Sequence, residues 1–511
     1  MKKTVLLCFL VIAISDFLFA QNVGIGTSVP DLSAQLDITH TSKGLLIPRM
    51  GPSSIPAIVN PAKGLMVYDS VNNQLMVNMG TGSSPNWKNI VFNSGWNLTG
   101  NANINPVNYF IGTTDNNPLR FRINNKYAGE LDSVTRKTFF GFGAGSSTTT
   151  GNNDVAFGYK SLYSNTTGNS STAVGTLSLF SNTTGHNNSA YGSSSLFSNT
   201  SGNDNTCAGL FSLSSNTTGS FNTAAGSSSL GSNITGSYNT AAGANALFSN
   251  TTGIANTATG SNALASNLDG SMNTAIGNSA LLQNAAGDSN VAVGSNALSQ
   301  ATSGSFNTAI GTNAGINNIG WWTTIIGMDA GRRNQAYGNV FVGSAAGMKN
   351  ITGYQNTFVG DNAGREDSLG SDNAFFGSWA GQYSSGGENS FFGALSGTSN
   401  TFGFFNSFFG STSGASSTSG TNNNFFGYQS GRFNTTGSSN IFMGAKAGFN
   451  NTTGYGNIAI GNAASYSFAG GAVILNTAIG DSAGYSNTAI ENTFIGGRAG
   501  RFNTSGFQNT F

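Results

Sequence analysis

A glycine recurs every 17 residues along most of this chain. It stands at 141, 158, 175, 192, 209, 226, 243, 260, 277, 294 and 311. It continues through 327, 343, 360, 377, 393, 410, 427, 444, 461, 480 and 496 at intervals of 16, 17 or 19. That gives 22 copies of a unit close to Asn-Thr-Ala-Ile-Gly-x-x-Ala-Leu-x-x-Asn-Thr-Thr-Gly-x-x. A fixed short period means one structural unit stacked on itself, and helix-pair repeats need about 33–47 residues. Seventeen residues suit one coil of a β-solenoid, read here as two strands of about five residues and two turns, with coils about 4.8 Å apart. The predicted fold class is all-β: a parallel β-solenoid of about 22 coils over 139–511, preceded by a small β-rich region.

Counting from that glycine as zero, each column reports on packing. Position +3 is Ala or Ser in every copy, so only a small side chain fits there. Position −2 is Ala in most early copies (Ala156, Ala173, Ala241, Ala292) and Phe in most later ones (Phe341, Phe358, Phe408, Phe494). Position +4 does the reverse, with Leu early (Leu162, Leu179, Leu247, Leu298) and Gly later (Gly347, Gly364, Gly414, Gly500). Close packing demands such an exchange when two residues touch, so −2 and +4 are expected to meet inside one coil. Cys207 takes an Ala place at −2 and is expected to be a buried, inert thiol.

Position −1 is mostly apolar, as in Val174, Ile276, Val342, Phe376, Phe409 and Ile495. Neighbours on a strand point to opposite faces. If −2 points in, −1 forms an outward apolar stripe, and the simplest partner for it is another copy of the chain. Two Asn columns, one from 188 to 307 and beyond and one from 165 to 284, are read as stacked amide ladders that cap turns. A Thr column (Thr172, Thr206, Thr223, Thr240, Thr257, Thr274, Thr308) allows a minor reading as a water-ordering, ice-binding face.

Residues 21–138 have a different texture. Residues 64–68 and 74–78 read as strands around a turn at Asn72-Asn73, and Leu119–Ile123 as one arm of a hairpin turning at Asn124-Asn125. Ahead of them, Lys2 and Lys3 precede an apolar run of about ten residues, too short for a membrane span of about 20. Residues 1–20 are therefore read as a secretory signal peptide, with 21–138 a β-rich head or trimerisation region.

Composition excludes more than it proves. Lys+Arg 20 against Asp+Glu 19 leaves no field for nucleic acid or an anionic membrane. His40 and His186 lie far apart, and Asp154, Asp204, Asp269 and Asp288 fall in unrelated columns, so no repeated metal site is expected. The string Gly141-x-Gly143-x-Gly145 lacks the partners of a phosphate loop. No catalytic, cofactor-binding or metal-binding residue is predicted, no cofactor is implied, and the chain is read as no enzyme.

Asn273-Thr-Ala-Ile-Gly277-x-x-Ala280, Asn307-Thr-Ala-Ile-Gly311-x-x-Ala314 and Asn476-Thr-Ala-Ile-Gly480-x-x-Ala483 resemble the head repeats of YadA-type trimeric autotransporter adhesins. That resemblance implies a left-handed β-roll, three chains side by side, and display on a Gram-negative outer membrane for adhesion to a host, matrix or glycan ligand. The family's repeat is shorter, so the Asn-Thr-Thr-Gly turn is expected to protrude. Residues 23–27 to 48–50 (Val23-Gly-Ile-Gly-Thr27, Pro48-Arg49-Met50) resemble leaders of secreted, tail-fibre-like surface proteins. The chain stops inside a repeat at Phe511, so a membrane anchor or a cleaving chaperone domain is expected to be missing. The function expected is an exported, homotrimeric fibre or adhesin that binds through repeated surface turns, or alternatively a phage-tail-fibre-like protein.

Overall fold

The computed structural model describes residues 22–90, 110–467 and 473–511. The signal peptide read at 1–20 lies outside them. The chain forms two compact units that divide between Ile111 and Gly112.

The first unit is built of short strands. β1 (Val23–Ile25) pairs in parallel with β2 (Leu36–Ile38). β3 (Arg49–Met50), β4 (Met66–Asp69), β5 (Gln74–Asn78) and β6 (Trp87–Asn89) form a four-stranded sheet in that order. The β4–β5 hairpin is the one expected from sequence, with Asn73 at φ 53° in its turn. Asp69 closes that turn by accepting the N–H groups of Val71 at 3.0 Å and Asn72 at 3.1 Å.

The second unit opens with a hairpin, β7 (Leu119–Ile123) and β8 (Lys126–Asp132). Its two-residue turn puts Asn124 and Asn125 at φ 47° and 57°, the left-handed region that Asn tolerates. β8 runs antiparallel to β9 (Lys137–Phe140). From β9 onward every pairing is parallel and joins consecutive strands, from β10 (Val155–Phe157) to β30 (Thr493–Ile495). One strand per coil gives 22 rungs in a β-solenoid, and no helix occurs among the described residues. Register aligns like with like: Ala156 faces Ala173, and Phe358 faces Phe375.

Each coil after the first carries one strand of three residues, such as Thr357–Val359, and not the two of about five residues expected. The cause is backbone sign. Positions +2 and +4 lie at positive φ in nearly every coil, for example Lys160 at 50° and Leu162 at 51°. Left-handed residues interrupt an extended run, yet the turn backbone still bonds from coil to coil. Lys160 N–H donates to Phe142 O at 2.9 Å, Leu162 N–H to Ser178 O at 3.0 Å, and Ser164 N–H to Phe180 O at 3.0 Å.

The core is a single file of side chains. All −2 residues and the +4 Leu residues are fully buried. The inferred −2/+4 contact is present: a Cβ built on Gly364 would stand 2.4 Å from the Phe358 ring, and one on Gly431 would stand 2.4 Å from Phe425. The buried rings stack along the axis, with centroids 4.7 Å apart for Phe358–Phe375 and 4.8 Å for Phe375–Phe391. Where Leu gives way to Phe, coil 311 has small residues at both places, Ala309 and Gly315. Ile325 of the next coil fills the space, its Cδ1 2.8 Å from where a Gly315 Cβ would be.

The repeating glycine has two reasons to be glycine. Gly360 sits at φ 139°, and a Cβ on it would come within 2.5 Å of the Gly377 carbonyl oxygen of the next coil. Both Asn columns are buried ladders. Asn182 Nδ2 donates to Asn165 Oδ1 at 2.9 Å and to Gly185 O at 3.0 Å. Asn205 Nδ2 donates to Asn188 Oδ1 at 3.1 Å and to Gly219 O at 2.9 Å. The Asn-Thr-Thr-Gly turn therefore does not protrude. Asn165 and Gly168 are buried, Thr166 is half-buried, and only Thr167 of that turn is exposed.

Candidate interaction surfaces

The strand face is where the alternation of side chains has its largest consequence. In a three-residue strand, the middle residue points in and its neighbours point out. The pattern repeats down the ladder: Ala275 is buried between half-exposed Thr274 and exposed Ile276. Ile276 is 42% exposed and Phe426 37%, so the −1 stripe is an apolar surface open to a partner. In its most aromatic stretch the rings stack: Phe376–Phe392 at 4.7 Å, Phe392–Phe409 at 4.6 Å and Phe409–Phe426 at 4.9 Å. The Thr column shares this outward face, with Thr206, Thr223, Thr240, Thr257 and Thr274 in register.

A second surface is made by the turn that leads into each strand. Position −5 lies at positive φ and holds Phe221, Tyr238, Phe306, Trp322 and Phe405, all exposed. Phe221 and Tyr238 stack at 4.9 Å. Beside it, position −6 forms a third ladder that the column reading missed. Asn152 N–H donates to Asn169 Oδ1 at 2.9 Å, and Asn169 N–H to His186 Nδ1 at 3.1 Å. His186 N–H donates to Asn203 Oδ1 at 2.8 Å, and Asn203 N–H to Ser220 Oγ at 3.0 Å. The signal in sequence is a run of mixed acceptors, Asn, His and Ser, from Asn152 to Ser237, which looks irregular by residue type and regular by chemistry; Ile254 breaks it and later coils carry Trp321, Phe404 and other non-acceptors there. It also gives His186 a structural task.

Three groups with reactive potential, Cys207, Asp154 and Asp367, are buried inside the coils. Cys207 is buried at −2, and burial pushes its thiol well above the usual range. Asp154 stands in the −4 Asn column. Burial pushes its carboxyl up to about 6 against the Ser171 N–H and the Lys137 charge, which favour ionisation. Asp367 interrupts the second Asn column, and burial raises its carboxyl well above the usual range. Asn350, one coil before it, has neither amide atom hydrogen-bonded among the described residues. Asp204, Asp269 and Asp288 fall on separate columns, and His40 lies in the first unit. Among the described residues, no three of His, Cys, Asp and Glu converge as a metal site.

Among the described residues, no helix is long and apolar enough to cross a membrane. No curated protein matches this chain, and no solved structure matches it. Residues 24–103, within the first unit, match the family model of the phage tail like trimerisation region.

Proposed function

We propose that this chain is a trimeric, fibre-like structural protein displayed outside the cell. The observation that carries this reading is the half-exposed apolar −1 stripe along 22 rungs, in a chain whose 24–103 segment is similar to a trimerisation region. An apolar surface this continuous is costly to leave in water, and a second and third copy of the same ladder would cover it with matching periodicity. The first unit would set the chain count, and the solenoid would supply length. The burial of Cys207, Asp154 and Asp367 and the hydrogen-bonded place of exposed His186 in its ladder favour a mechanical task over a catalytic one.

The finer reading is adhesion. The Asn-Thr-Ala-Ile-Gly repeats resemble adhesin heads of the YadA type, and the −5 aromatics Tyr238, Trp322 and Phe405 stand exposed on turns, where a partner would meet them. The 24–103 match favours a tail-fibre-like protein as the alternative, with export signalled by the leader at 1–20 in either case. Analytical ultracentrifugation of residues 21–511 tests the proposal. A species of three times the chain mass supports it, and a stable monomer at micromolar concentration overturns it.

A further inference from the structure

In the solenoid, cations are rare and unevenly placed. Residues 139–511 hold nine Lys and Arg, and none lies between Lys160 and Arg332. Four of the nine then come within three successive coils: Arg332 and Arg333, Lys349, and Arg365. They occupy positions +5 and +6, on the turn after the repeating glycine and away from the strand face. Coil-to-coil bonding fixes their spacing, because Arg333 N–H donates to Met348 O at 3.2 Å and Lys349 N–H to Arg365 O at 2.9 Å. The side chains of Arg332 and Lys349 are 50% and 43% exposed.

Arg332, Arg333 and Lys349 line an open groove of about 460 Å³, with Asn317 and Met348 completing its walls. Local carboxylates neutralise the cluster only in part. Glu366 takes both Lys349, at 2.5 Å, and Arg365, at 3.6 Å. Asp329 approaches Arg332 at 3.7 Å. Arg333 has no ion pair among the described residues. The lining holds three cations and no carboxylate, and the two carboxylates that reach in, Asp329 and Glu366, pair with Arg332 and Lys349 and leave the Arg333 charge unneutralised.

We propose that this groove binds an anionic glycan, a chain whose sulfate or carboxylate groups seat on successive rungs. Guanidinium groups meet sulfate and carboxylate in a bidentate fork, and Lys349 adds a point charge one rung on. Met348 offers an apolar wall to a sugar ring between the charges. Rungs about 4.8 Å apart favour a ligand with repeated charges over a single small anion. The patch is only three coils long, which disfavours nucleic acid, whose binding spreads over about 6–10 phosphates. The inference refines the adhesive reading and rests on it for biological sense. Its test is independent of chain number, so failure of glycan binding and failure of trimer formation are distinguishable.

The experiment is titration calorimetry of residues 21–511 with three probes at about 50 mM salt: a heparin-derived hexasaccharide, an oligogalacturonate of equal length, and a single-stranded oligodeoxynucleotide. Saturable binding of either glycan, weakened as salt rises, supports the proposal, and the two glycans separate sulfate from carboxylate recognition. The double variant R333Q/K349Q should weaken that binding about tenfold or more, while R432Q/K446Q, elsewhere on the solenoid, should leave it unchanged. Glu366→Gln removes the competing carboxylate and should tighten it, a gain that misfolding cannot mimic. Absence of glycan binding, equal loss in both double variants, or preferential binding of the oligonucleotide would overturn the proposal.

Discussion

Phe358 and Gly364 occupy one pocket of one coil: the ring fills the space that a Cβ on Gly364 would enter at 2.4 Å. Seven coils upstream, the same pocket is filled from the other side, with Leu247 buried opposite Ala241. The Leu solution carries a backbone cost, because Leu247 sits at φ 52°. Left-handed backbone costs a non-glycine residue about 1–2 kcal/mol. Burying the Leu side chain returns about 1.5–3 kcal/mol, so the Leu coils persist despite the strain.

This geometry makes a double exchange measurable. Leu247→Phe alone should destabilise by about 1–3 kcal/mol through overpacking. Adding Ala241→Phe should worsen it. Ala241→Phe with Leu247→Gly should recover part of the loss, because Gly suits φ 52° and vacates the space for the ring. Urea unfolding of the parent, Ala241→Phe, Leu247→Gly and their double variant gives the coupling, and additive effects would show that the two positions do not share a pocket.

The outward stripe gives a separate prediction about assembly. Phe392→Glu with Phe409→Glu places charge where two stacked rings stand 4.6 Å apart on the surface. The coil interior is untouched, so circular dichroism should keep its β signal. Sedimentation should shift from trimer toward monomer, and an unchanged trimer would mean that chains meet through another face.

Asp154 predicts a dependence of stability on pH. Its folded carboxyl titrates at about 6, above an unfolded value of about 4. The folded state therefore holds the proton more tightly, and stability falls as pH rises from about 4 through about 6. Asp367 acts in the same direction. Asp154→Asn with Asp367→Asn should flatten this slope in thermal melts, and Asn at 367 should restore a donor to the column beside Asn350. A slope that persists in the double variant would place the titration elsewhere.

Cys207 should resist thiol reagents in the native protein. It is fully buried, and desolvation disfavours the thiolate that reacts. Labelling by an aromatic disulfide reagent should be slow without denaturant and stoichiometric in guanidinium. Rapid labelling of the native chain would mean that coil 209 opens readily.

The amino-acid sequence by itself determined the period, the stacking and the partners within a coil. Large and small residues can trade places at −2 and +4 only if they touch, so the exchange of Ala156 and Leu162 for Phe358 and Gly364 reports a contact without coordinates. The outward direction of Ile276 and Phe409 followed from alternation alone, and the Asn124-Asn125 turn from the residues that tolerate positive φ. What only the tertiary structure decided was the sign of the backbone at +2 and +4, because Lys, Leu, Ser and Asn all occupy those columns and none of them declares a left-handed residue. That sign reduces each coil to one short strand and draws the Asn-Thr-Thr-Gly turn inward onto its amide ladder. The −6 ladder and the basic groove at Arg333 and Lys349 also needed coordinates. They join residues about 17 apart whose kinship lies in their hydrogen-bonding capacity or charge, which stacking brings together and residue type alone conceals.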